Sequence, residues 1–154
     1  MFDHALTDLA SLAEGLLALA LGGIVGWERK NGGKDAGFRT MMLVTFASFL
    51  FVEVSMIAGS LGPDDTTVRT DPVRAIQAVA TALGFVGAGI IYRDRNEERT
   101  RGLTTAAAVL AVSPVGMAVA VGHYVLAVGA TVLLVLVLGP VDRIERHFGP
   151  RDDK

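Results

Sequence analysis

Apolar positions along this chain come in long unbroken runs, and polar positions gather in the short links between them. The alternation that marks an element half turned to water is weak throughout. A bilayer core of about 30 Å is crossed by about 20 apolar residues in a helix. Residues 9–26 form one such run, with Glu14 as its one charge. Residues 40–61 form a second, interrupted by Glu53, and residues 75–92 a third. Residues 103–138 are apolar over a length too great for one span and right for two. The turn between them is predicted at Gly122-His123, because both halves then approach spanning length. Pro114 is expected to kink the fourth helix, as membrane helices tolerate. The pattern predicts an all-α polytopic membrane protein with five transmembrane helices, at about 9–26, 40–61, 75–92, 103–121 and 124–139. These make one domain over 1–139, and 140–154 are read as a short cytoplasmic tail.

Composition supports the membrane reading. Hydrophobic residues are 51% of the 154, mean hydropathy is +0.48, and there are 18 glycines, a residue enriched in transmembrane helices. A net charge of −2 gives no support for nucleic-acid binding, which needs a basic face. The absence of cysteine excludes disulfides, thiol catalysis and cysteine–zinc sites. The opening MFDHALTDLA lacks the positive region and cleavage site of a signal peptide, so the first apolar run is expected to stay as an anchor.

Charge then sets the orientation. With the N-terminus outside, the inner segments 27–39, 93–102 and 139–154 hold twelve Lys and Arg, and the outer ones hold Arg69 and Arg74. Positive residues concentrate on the cytoplasmic side, which predicts an outward N-terminus and an inward C-terminus. Small residues suggest packed spans: Gly22 and Gly26 end the first helix, and Gly84, Gly87 and Gly89 lie in the third. GFVGAG lacks the glycine spacing of a dinucleotide fingerprint, and there is no P-loop.

The predicted inner face gathers Glu28, Arg29, Arg39, Thr40, Arg101, Thr104 and Thr105. Arginines, hydroxyls and two helix N-termini suit an anion such as a phosphate, a carboxylate or a lipid head group, with Glu28 as internal counter-ion. The lysines of the first link, Lys30 and Lys34, read as orientation signals. In the outer half, Glu14, Glu53, Asp71, Arg74 and Gln77 form a candidate polar path, since ionisable groups within spans usually face partners or water. Asp71-Pro72 also reads as a helix N-cap and first residue. His4, His123 and His147 show no ligand spacing. No metal site, cofactor motif or nucleophile–base pair is visible, so the chain is read as a non-enzyme without cofactors.

Five blocks, GGIVGWER (22–29), AGFRTMMLV (36–44), DPVRAIQAV (71–79), GFVGAGII (84–91) and RGLTTAAAV (101–109), together resemble the membrane domain of the MgtC/SapB family. The resemblance runs from about residue 9 to 124. It implies a five-span protein of the bacterial inner membrane in the short, SapB-like form without a C-terminal soluble domain. It also carries over Glu28, Arg29, Gly37, Arg39, Thr40, Asp71, Gln77, Gly84, Gly87, Gly89, Gly102, Thr104 and Thr105 as signature positions. The family is associated with survival at low Mg²⁺, acid stress and virulence, and its best-known members resemble regulators of other membrane proteins. The leading expectation is a regulator linked to Mg²⁺ homeostasis or stress adaptation, with the lipid bilayer and another membrane protein as partners. The alternative is a small-ion (Mg²⁺ or proton) transporter or channel, which a homodimer would supply with twice the acids.

Overall fold

The computed structural model describes residues 2–60, 71–94 and 100–141. Its elements are α1 (Phe2–Asn31), α2 (Phe38–Ser60), α3 (Pro72–Ile90), β1 (Tyr92–Arg93), β2 (Thr100–Arg101), α4 (Leu103–Ala120) and α5 (Tyr124–Leu136). A π-helical turn, Val137–Val141, continues α5. All five helical segments are long and apolar enough to cross a bilayer.

Local chemistry explains the boundaries. The run Asn31-Gly32-Gly33 stops α1. Gly33 takes φ +65, its N–H donates to the Lys30 carbonyl, and the Lys34 N–H donates to that of Arg29, both at 3.1 Å. Those are the paired bonds of a Schellman closure, which wants glycine at the left-handed position. The turn predicted at Gly122-His123 is built the same way. Gly122 has φ +75 and bonds back to Val119, and the His123 N–H reaches Ala118. Asp71 caps α3 by accepting from the Val73 N–H at 2.9 Å, with Pro72 at the first helical position. Pro114 lies inside α4 without ending it.

The first three helices also start earlier than the apolar runs, α1 at Phe2, α2 at Phe38 and α3 at Pro72, and three helix ends differ from the sequence reading. α1 runs on to Asn31, so Glu28 and Arg29 belong to a helix and not to a loop. The third helix ends at Ile90, two residues early, because Tyr92 and Arg93 pair antiparallel with Arg101 and Thr100. The last helical segment reaches Val141, past the predicted end at 139; residues 142–154 of the expected tail lie outside the described residues.

α4 is the hub. Of its apolar stretch 67% is buried, against 6% for α3, and it packs against α1, α2, α3 and α5. The closest approaches are made by glycines. A Cβ on Gly22 would stand 2.6 Å from the Met41 carbonyl oxygen, one on Gly26 2.6 Å from Phe38 Cα, and one on Gly116 2.0 Å from the Thr45 carbonyl oxygen. Backbones this close gain dispersion contacts that lipid cannot outbid. Gly87 meets Ala106 at ordinary contact distance. Among the described residues nothing lies within 4 Å of the missing Cβ atoms of Gly84 and Gly89, because α3 turns that side away from the other described helices. Leu9, Leu12 and Leu16 of α1 and Val125, Leu126 and Leu133 of α5 are exposed, as suits helices sided by acyl chains.

These distances rank the glycines. Gly116→Ala should lower stability by about 1–3 kcal/mol through overpacking. Gly84→Ala should change it by less than about 0.5 kcal/mol, as an exposed substitution. Thermal unfolding of the detergent-solubilised protein measures both.

Candidate functional site

The loop at 32–37 and the start of α4 meet at one end of the bundle, here called the basic end. Arg29, in the last turn of α1, lies where a cation complements the helix dipole. Its side chain is 0% exposed. Burying a guanidinium is costly without acceptors, and its Nη2 donates to Thr105 Oγ1 at 2.8 Å. Thr105 belongs to the first turn of α4 and is 7% exposed. The pairing joins positions 76 apart in sequence.

Glu28 turns elsewhere. Neighbouring residues point about 100° apart around a helix, so its carboxylate lies over the π-helical turn. A Cβ on Gly139 would come within 2.5 Å of Glu28 Oε1. Glycine at 139 is what lets the end of the fifth span pass beneath that carboxylate.

Two cavities open at the basic end. One, about 410 Å³, is lined by Gly33, Lys34, Asp35 and residues 100–105, and so by Arg101, Thr104 and Thr105. The other, about 590 Å³, is lined by Lys30, Lys34, Asp35, Gly37, Phe38, Arg39 and Thr40. The seven predicted inner-face residues therefore do not form one cluster. Arg29 and Thr105 form a buried bond, Arg101, Thr104 and Thr105 face the first cavity, Arg39 and Thr40 face the second, and Glu28 faces α5. Lys34 and Asp35 line both cavities. Sequence reading set Lys34 aside as an orientation signal, although its place directly after the Gly-Gly closure put it at the mouth of the site.

Gly102 shapes the first cavity. It is the N-cap of α4 at φ +87, and a Cβ there would stand 2.2 Å from the Ile90 carbonyl oxygen. Both the backbone angle and the space demand glycine. The β-hairpin beside it carries an ion pair, Arg101 Nε to Asp94 Oδ2 at 3.3 Å, which is half exposed and so worth at most about 1 kcal/mol.

At the opposite end the predicted polar path divides. Glu53 accepts from Ser11 Oγ at 2.6 Å, and Glu14 accepts from Tyr124 Oη at 2.5 Å. Both acids are held by hydroxyls of neighbouring helices. Asp71, Arg74 and Gln77 stand apart on α3, which packs on α2 and α4, while α1 packs on α2, α4 and α5. Asp71 is spent on its cap, and Arg74 and Gln77 are exposed. Sequence reading missed Ser11 and Tyr124. Both had a signal: Ser11 is one turn before Glu14, and Tyr124 follows the turn at the same end.

The Arg29–Thr105 bond should be specific to a guanidinium. Arg29→Lys should cost roughly 1.5–3 kcal/mol, the worth of a charge-assisted buried hydrogen bond. Thr105→Ser should be tolerated, and Arg39→Lys should stay within about 0.5 kcal/mol. Thermal midpoints in detergent decide this.

Residues 16–147 match the model of the MgtC family. The chain is 34% identical to protein SrpB of Synechococcus elongatus over 85% of its own length and 74% of that protein's. It is 40% identical to the putative magnesium transporter YhiD of Escherichia coli K12, over 80% of its own length and 56% of the relative's. To protein MgtC of Salmonella typhimurium it is 32% identical, over 87% and 50%. It thus spans three quarters of SrpB and about half of the other two. No solved structure matches it. A family model that covers most of the chain, with relatives at this identity, makes the chain a member of the MgtC family.

Proposed function

We propose that this chain serves Mg²⁺ homeostasis as a regulator in the bacterial inner membrane, acting by contact with other membrane proteins and not as the conduit. The Mg²⁺ link rests on the family and on the names of the relatives. The orientation proposed is N-terminus out and C-terminus in, which puts the basic end in the cytoplasm, as the bias in Lys and Arg favours.

The observation that carries the regulatory reading is the packing of the interior between the two polar ends. Val25, Met41, Phe49, Val52, Val109, Val112 and Val115 fill it, each no more than 2% exposed. Three of the buried hydroxyls among them face their own helices: Thr45 donates to the Met41 carbonyl, Ser48 to Val44 and Thr131 to Ala127, each at 2.8 Å. A hydrated cation needs oxygen ligands along its route, and such an interior offers it little. The exposed apolar sides of the helices offer contact area to a neighbouring span.

Reconstituted alone in liposomes, the protein should give Mg²⁺ entry no faster than protein-free vesicles, read by an internal Mg²⁺ indicator. The same protein should restore growth at low Mg²⁺ to cells lacking it. Entry above background that Glu53→Gln abolishes would establish transport instead.

A further inference from the structure

The cavity between Lys34 and the start of α4 is built as a receptor. Its wall carries three hydroxyls, from Thr100, Thr104 and Thr105, and two cationic side chains, Lys34 and Arg101. α4 has no side-chain cap, and its first internal bond is from the Ala106 N–H to the Gly102 carbonyl. The N–H groups of residues 103–105, all in the cavity wall, therefore have no helical acceptor.

A second, independent observation concerns Thr105. Thr45, Ser48, Thr81 and Thr131 each donate to the carbonyl four residues back. Thr105, more than nine-tenths buried in the cavity wall, instead accepts from Arg29. A hydroxyl that accepts still holds a proton to give, and no described group takes it. The guanidinium behind polarises that O–H toward a negative acceptor.

We propose that this cavity binds a phosphate group, with Thr105 as direct donor and Arg29 as positioning residue. Donors are too many for a carboxylate's two oxygens, and they match a tetrahedral anion with three exposed ones. Asp35 at the rim and Asp94 on Arg101 offset part of the positive charge of Lys34, Arg101 and Arg29. The source is either a phospholipid head group or free phosphate; both present the same oxygens. The inference stands whether or not the chain regulates by contact, since it concerns only what the basic end binds.

The test uses the full chain in detergent and in nanodiscs. Inorganic phosphate is titrated while thermal unfolding is followed, and retained phosphatidylglycerol is counted by native mass spectrometry. Stabilisation by phosphate at millimolar levels or below, or retained phosphatidylglycerol, supports the site; which of them is seen identifies the source. Thr105→Val should weaken binding roughly ten- to hundredfold, as loss of a hydrogen bond to a charged group does. Because Thr105→Val also strips Arg29 of an acceptor and can unfold the bundle, Lys34→Gln and Thr104→Val at the accessible rim are measured beside it, and each should weaken binding. Arg39→Gln, in the neighbouring groove, should leave it unchanged. No binding of either probe by folded protein overturns the proposal. So does binding that the rim variants leave intact, or stabilisation that chloride reproduces at equal ionic strength.

Discussion

Thr45 is where three helices touch, and the bundle depends on that contact. Gly22 of α1 faces its side chain, and Gly116 of α4 faces its carbonyl. Its hydroxyl is folded back onto the Met41 carbonyl, so the residue presents little unsatisfied polarity to either neighbour. In lipid no hydrophobic force drives helices together, and close packing must supply the association. Side chains at 22, 26 or 116 would hold the backbones apart and forfeit those contacts. The central triad α1–α2–α4 is thus held by what its glycines lack.

That triad sets the basic end. Once the α1 and α4 backbones are fixed, the last turn of α1 comes level with the first turn of α4. Arg29 can then reach Thr105 without crossing solvent. The Schellman turn at Gly33 reverses the chain so that Lys34 and Asp35 lie over the same spot, and Gly102 brings the hairpin in from the other side. The chemistry of the cavity is therefore a by-product of helix closure and helix contact at once.

Much of this was legible in the sequence. The five spans, the turn at Gly122-His123 and the cap at Asp71 all follow from run length and turn chemistry, which are local. The joining of Arg29 with Thr105 was legible only as membership of one membrane face. That Arg29 would be buried while Arg39, ten residues on, stays exposed depends on the rotation of each helix about its axis. A span that is apolar all round carries almost no periodic signal to fix that rotation. Gly84 and Gly89 could not be placed for the same reason: a small residue in a span is equally compatible with the packed side and the open one. The hairpin at Tyr92–Arg101 escaped because two-residue strands have no pattern to show.

α3 differs mechanically from its neighbours. It buries Val79 and Gly87, and Phe85 on its far side is 84% exposed. Its end at Ile90 is nonetheless joined through the hairpin to Gly102, where the fit is tight enough to exclude a methyl group. A rod with a loose shaft and a pinned end is a lever. Membrane thickness acts on helix tilt at a cost of fractions of a kcal/mol per Å, and α3, the least buried of the five, has the least packing to resist it. A tilt of α3 is therefore resisted at Gly102 and little along its shaft.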